Sequence, residues 1–167
     1  SDEIYRKICF SEPSGVAAGL FDLSPADVGP YVVVDGVSKT FAMTGWRLGY
    51  MITDAGLAAK AGDLQSQTTS NAATPVQVAA LAALTQTDRA NESVREMVVA
   101  FRRRRDLVLD RIREKLPHLS FVQPDGAFYV FLRVDSEFDA STRDSNAWCS
   151  RVLEDTGVAF VPGVAFG

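Results

Sequence analysis

The sequence has 167 residues, 47% hydrophobic and 23% charged, with a formal net charge of −4 at pH 7, a make-up that excludes a disordered or fibrous chain. The negative balance argues against a phosphate-backbone partner, which needs an excess of Lys and Arg on one face. The apolar runs are too short and interrupted to cross a bilayer and no basic leader opens the chain, so the expectation is a cytoplasmic protein with neither nucleic-acid nor membrane partners.

In chain order, "SDEIY" reads as the end of a strand at residues 1–5 whose earlier part is missing, which makes the chain look like a piece of a longer polypeptide. A loop with Pro13 and Gly15 follows, then a buried strand at 31–35, a Lys-bearing segment after Gly36, and a short strand at 48–52. Thr53-Asp54 can cap a helix over 55–65, and a second helix over 74–85 begins with Pro75 in its first turn, where a missing N–H costs little.

Val94, Met97, Val98, Phe101, Val108 and Ile112 recur at helical spacing in a long segment from about 88 to 116. The segment stops at or before Pro117, which pushes its predecessor out of helical angles. Arg102 to Arg105 point in four directions on such a helix, so the run reads as a solvated face with one arginine near the buried edge. Residues 120–122 and 127–134 around "PDG" read as two antiparallel strands, followed by a helix over 145–156 and a strand over 158–161. Alternating short strands and helices give an α/β layered unit followed by an α+β unit, with a boundary near 88–93. Cys9 and Cys149 stand far apart without a CxxC or Cys/His pattern, so two free thiols and no metal site are expected.

The chemistry concentrates in "VSKTFAMTGWRLGY", residues 37–50. A lysine becomes nucleophilic toward a carbonyl when desolvation or a nearby positive charge lowers its pKa. Phe41, Met43 and Trp46 could supply the first and Arg47 the second. Ser38 can donate to an anion, Arg47 offers a bidentate fork for phosphate, and Gly45 and Gly49 allow close backbone approach. Together these describe an anchor for a phosphorylated aldehyde.

"SKTFAMTGWRLGY" resembles the lysine segment of the fold-type I pyridoxal-phosphate enzymes, within the class I/II aminotransferases and nearest to bacterial aspartate aminotransferases. "SDEIY" resembles the strand end where that family places an Asp under the cofactor's pyridine nitrogen and, three residues on, a Tyr at its phenolic oxygen. The resemblance implies a partial fold-type I transferase of α/β class, with part of a three-layer αβα large domain at 1–88 and part of an α+β small domain at 89–167. It implies pyridoxal 5′-phosphate as cofactor, Lys39 as the catalytic amine, and Asp2, Tyr5, Ser38, Lys39 and Arg47 as the residues that hold the cofactor.

Three weaker likenesses follow. "QTTSNAATPVQVAA" resembles a loop that reaches a neighbouring active site across a homodimer interface, with Ser70 and Asn71 as candidates beside a plain helix-capping alternative. "PDGAFYVFLRV" resembles a strand whose start lines the substrate mouth, with Gly126 and Phe128 nearest the ligand. "VAFVPGVAFG" resembles a stretch ahead of the family's last helices. Where some members carry a second hydroxyl three positions before the lysine, this chain has Gly36.

The implied activity is amino-group transfer between an amino acid, aspartate-like or similar, and a 2-oxo acid. Alternatives on the same scaffold are a carbon–sulfur lyase, a kynurenine, aromatic or prephenate aminotransferase, or an aminotransferase-like sensor domain of a transcription regulator. The family's cofactor-phosphate loop, the aromatic that stacks on the ring and the Arg that clamps the substrate carboxylate have no counterpart in these residues. A chain of this extent is therefore expected to be inactive alone.

Overall fold

A computed structural model of the chain describes residues 1–167 with the exception of Pro25. The chain forms two compact units, residues 1–103 with 125–128, and residues 104–124 with 129–167. This division falls inside a long helix that begins at Thr87.

In the first unit the β-branched run "VVVDG" forms β1, Val32–Gly36, a composition that suits a pleated, half-buried surface. β2, Gly49–Thr53, pairs with it antiparallel, with Val34 opposite Met51, Asp35 opposite Tyr50 and Gly36 opposite Gly49. The N-terminal residues lie along the other edge of β1 in parallel: Val34 N donates to Ser1 O and Glu3 N to Val34 O, each at 2.9 Å. The expected strand at 1–5 is thus realised only around Asp2, since residues 4–7 already turn. Between β1 and β2 comes α1, Val37–Thr40, a single helical turn whose Val37 and Thr40 are buried.

α2, Ala55–Thr68, starts as expected at Asp54, whose carboxylate accepts from Leu57 N at 3.0 Å. It runs three residues beyond the expected end and buries none of its residues. α3, Thr74–Thr85, has the expected bounds, with Pro75 in its first turn.

α4, Thr87–Lys115, is the long helix. Val94 and Val98 enter the first unit's core with Ile8 and Phe10, and Tyr5, Phe41, Met97 and Phe101 pack around them. Within the second unit Leu109 is fully buried and Ile112 nearly so, whereas Val108 is 43% exposed. The expected stripe is therefore one position off there: 98, 101, 105, 109 and 112 follow the helix at three- and four-residue steps, and Val108 falls beside that row.

β3, Ser120–Phe121, and β4, Leu132–Arg133, form a two-residue antiparallel pair in the second unit. The longer strand expected over 127–134 is diverted at its start, because Gly126 bridges Cys9 and Ala127 N donates to Ile8 O at 2.8 Å. α5, Ser145–Thr156, is capped by Asp144, which accepts from Ala147 N at 2.9 Å, and ends on the left-handed Gly157. Residues 158–161, expected as a strand, form no ladder among the described residues. Cys9 and Cys149 are free thiols as expected, Cys9 buried, and burial pushes the Cys149 thiol up. No helix among the described residues is long and apolar enough to cross a membrane, and no His, Cys, Asp and Glu group there could hold a metal ion.

Candidate functional site

The N-terminal segment, the hairpin of β1 and β2, and the 125–128 strap bring most of the sequence-predicted site residues together within the first unit. Asp2 Oδ1 accepts from Ile4 N at 3.1 Å, which ends the extended segment and starts the turn that carries Tyr5. Asp2 itself is exposed. The Tyr5 ring meets Phe128 edge-on, with centroids 5.4 Å apart at 79°. Lys39 Nζ lies 5.9 Å from the Tyr5 ring centre and 5.5 Å from that of Phe128, within reach of both ring faces.

Lys39 owes this position to α1. With Val37 and Thr40 turned into the interior, Ser38 and Lys39 are left half-buried on the outer side of the turn. The rings against Lys39 are those of Tyr5 and Phe128, not the expected Phe41 and Trp46. Phe41 packs on the core and meets Lys7, and Trp46 is 48% exposed. The chain then makes two bends that only a left-handed backbone allows, at Ala42 with φ 54° and at Arg47 with φ 55°. Non-glycine residues rarely adopt this conformation, and it commonly marks functional segments. Arg47 Nη1 donates to Thr44 O at 3.1 Å, which ties the exposed guanidinium to its own loop.

Asp2, Ser38 and Arg47 line one cleft of about 320 Å³, together with Asp35, Gly36 and Gly49. Its polar side chains are the Arg47 guanidinium, the Ser38 hydroxyl and the Asp2 and Asp35 carboxylates, in a space of the size small ligands occupy. Lys39 is not among the described residues lining this cleft, although its neighbour Ser38 is; Tyr5 and Gly126 line an adjacent cavity that Asp2 also borders. Asp2 is thus common to the two spaces.

The glycines divide by need. A Cβ at Gly36 would lie 3.0 Å from Leu48 O and 3.1 Å from Gly49 Cα, so a hydroxyl residue there would require this hairpin to give by a few tenths of an ångström. A Cβ at Gly49 would lie 3.2 Å from Asp35 O, whereas one at Gly45 would meet open space, so close approach explains Gly49 and not Gly45. Gly126 is likewise a backbone contact, its Cβ position lying 2.6 Å from Ile8 O.

Ser70 and Asn71 occupy the exposed connection between α2 and α3. Ser70 has φ 63°, and Asn71 Nδ2 donates to Ala72 O at 2.8 Å, a local turn contact. Neither is among the described residues lining the cleft.

Sequence reasoning passed over two residues of the cleft region, Asp35 and Tyr50. The Tyr50 hydroxyl donates to Asp35 Oδ2 at 3.0 Å, and Gly36 N donates to Asp35 Oδ1 at 2.6 Å. Burial first, then the charge and hydrogen bond of Asp35 and the charge of Glu3, push the Tyr50 phenol up to about 12. A lone carboxylate at the end of an apolar strand was the available signal.

A family profile described as aminotransferase class I and II matches residues 1–167. Among curated relatives, the aspartate/prephenate aminotransferase of Cereibacter sphaeroides is 37% identical over 178 residues, covering 100% of this chain and 42% of its own length. Among solved structures, an aromatic aminotransferase from Pyrococcus horikoshii superposes with a TM-score of 0.84 at 34% identity, covering 100% of this chain and 42% of that one. An aspartate aminotransferase from Thermotoga maritima gives 0.79 at 36% identity, covering 99% and 39%. The chain spans about 42% of the length of the first curated relatives it matches, and its fold is a corresponding part of their α/β fold. With the family profile matched from end to end, the chain belongs to the class I and II aminotransferases.

Proposed function

We propose that this chain is the central and later part of a pyridoxal-phosphate-dependent aminotransferase that moves an amino group between an aspartate-like amino acid and a 2-oxo acid. The observation that carries the reading is the cleft where Asp2, Ser38 and Arg47 converge, with Lys39 on the same helical turn as Ser38. The family's use of pyridoxal phosphate and the donor set of that cleft agree: Arg47 and Ser38 suit a phosphate, and Asp2 suits a cationic ring nitrogen.

When bound, pyridoxal phosphate supplies an aldehyde that accepts the amino group and a ring that acts as an electron sink. The residues of this chain then have distinct tasks. Lys39 Nζ would hold the aldehyde, and as a free amine it would take the proton from the α-carbon of a bound amino acid. Asp2 would keep a positive charge on the ring nitrogen, and Tyr5 would donate to the phenolic oxygen. The Tyr5 and Phe128 rings, in contact with each other, stand together on one side of the amine.

In the same reading residues 1–88 belong to the large, cofactor-binding domain and 89–167 to the small one, in a cytoplasmic homodimer with Ser70 and Asn71 near the interface. Relatives named for aspartate, prephenate and aromatic substrates support an amino acid with a 2-oxo acid partner. Steady-state assays of the complete protein with aspartate, prephenate, an aromatic amino acid, kynurenine and cystathionine test the reading. Transamination of aspartate that Lys39→Ala abolishes supports it. Release of ammonia and a thiol from cystathionine without amino-group transfer would contradict it.

A further inference from the structure

Asp35 is a carboxylate on the wall of the cleft to which the proposed function gives no task. It stands directly across the ladder from Tyr50, and the two are joined by the 3.0 Å hydrogen bond from the phenol. β1 leads in two residues from Gly36 to Ser38 and in three to Lys39, and β2 begins two residues after Arg47. The Asp35–Tyr50 bond therefore closes the neck of the loop that carries Ser38, Lys39 and Arg47. Its position creates a conflict, because a carboxylate on the wall that also holds Ser38 and Arg47 repels any anion those two would bind. The geometry eases the conflict: the Gly36 amide takes one oxygen and the Tyr50 hydroxyl the other, so the charge is drawn toward the strand pair.

We propose that Asp35 and Tyr50 form a positioning pair that sets how strongly this cleft prefers a phosphorylated ligand over its unphosphorylated counterpart. Asp35 opposes surplus negative charge, and Tyr50 holds that carboxylate and the neck of the loop in place. The inference rests on the cofactor reading above.

The test compares wild type, Asp35→Asn, Tyr50→Phe and the double variant in the complete protein. Affinities for pyridoxal phosphate and for pyridoxal are read by absorbance titration, and the thermal shift given by inorganic phosphate alone is read beside them. Asp35→Asn keeps an oxygen for the phenol but removes the charge, so the ratio of the two affinities rises in favour of the phosphorylated form by roughly three- to tenfold. Tyr50→Phe frees the charged carboxylate, and the ratio falls by a similar factor. In the double variant the ratio stays near that of Asp35→Asn, because no charge remains for the phenol to hold.

A purely structural pair would instead lower affinity for both ligands in both single variants. Shifts of the ratio in one direction, or no shift against a wild-type preference for the phosphorylated ligand, overturn the inference. If neither aldehyde changes the spectrum of the wild type, the cofactor reading fails by itself. The phosphate response then decides the pair: opposite shifts in the two single variants uphold it, and an absent or unidirectional response overturns it.

Discussion

Gly126 lies so close to Ile8 that a β-carbon on it would be 2.6 Å from the Ile8 carbonyl oxygen. Side chains essentially never sit there, and the obstacle is backbone that cannot rotate away. The contact belongs to a short antiparallel pairing in which Phe10 N donates to Asp125 O and Ala127 N to Ile8 O. That pairing delivers Phe128 to Tyr5 and Lys39. Gly126→Ala should therefore destabilise the complete protein by about 1–3 kcal/mol, the usual range for overpacking, and unseat Phe128. Chemical denaturation measures the first effect, and a changed environment of Phe128 by NMR reports the second. A variant as stable as wild type would show that the strap yields without cost.

The arginine run has a structural use. Arg102 Nη2 donates to Phe10 O at 2.8 Å, and Arg105, with its side chain 13% exposed, donates to Pro124 O at 3.0 Å. Each charged donor thus bonds a backbone carbonyl far from it in sequence. Arg102→Ala should cost roughly 1.5–3 kcal/mol of stability, the range for a hydrogen bond to a charged group. Nucleic-acid binding, measured by fluorescence anisotropy with duplex and single-stranded probes, should be absent in the wild type at physiological salt. Tight, salt-sensitive binding lost in this variant would reverse that assignment.

The phenol of Tyr50 gives a pH prediction. Its folded pKa is raised to about 12 from an ordinary value of 10.0, so folding favours the protonated, hydrogen-bonded form. The stability it contributes is complete below about pH 10 and is lost as pH climbs toward 12. The ring is only partly buried, so solvent screening keeps the effect modest. Tyr50→Phe should flatten that part of the alkaline stability profile, followed by circular dichroism from pH 9 to 12. An unchanged slope would mean that the phenol ionises freely.

Much of the fold was legible because it rests on local rules. The bounds of α3 and α5, the Asp54 cap of α2 and the reach of α4 follow from caps, prolines and periodicity. What was not legible depends on tertiary pairing. Residues 127–131 alternate as a strand should, yet their start is claimed by Ile8 and Cys9, which lie more than a hundred residues away in sequence. Val108 and Leu109 are equally apolar, and only the phase of the buried row separates them. At the site, the identity and spacing of Asp2, Tyr5, Ser38, Lys39 and Arg47 stand out in the sequence. Which rings approach Lys39 does not, because Tyr5 and Phe128 reach it through a turn and a strap that no local pattern encodes.

Extensive apolar surface sets another expectation. α2 has no buried residue, Leu64 and Val78 are 66% and 61% exposed, and in the second unit Phe131, Val161 and Phe166 are each more than 60% exposed. Large apolar side chains exposed in such number favour association where they adjoin. The 167-residue chain expressed alone should bind a hydrophobic dye, self-associate and give no measurable transamination. A monodisperse, dye-negative chain that turns over at an ordinary enzyme rate would contradict both the incompleteness and the proposed division of labour.

The central claim is that Lys39 Nζ is the amine that captures the cofactor aldehyde. The direct measurement is borohydride reduction of the complete protein loaded with pyridoxal phosphate, followed by peptide mapping by mass spectrometry. The account predicts one stable cofactor adduct on the peptide containing Lys39, absent from Lys39→Ala together with the visible absorption. An adduct confined to Lys7 or Lys60, or a Lys39→Ala variant with an unaltered spectrum, would contradict it.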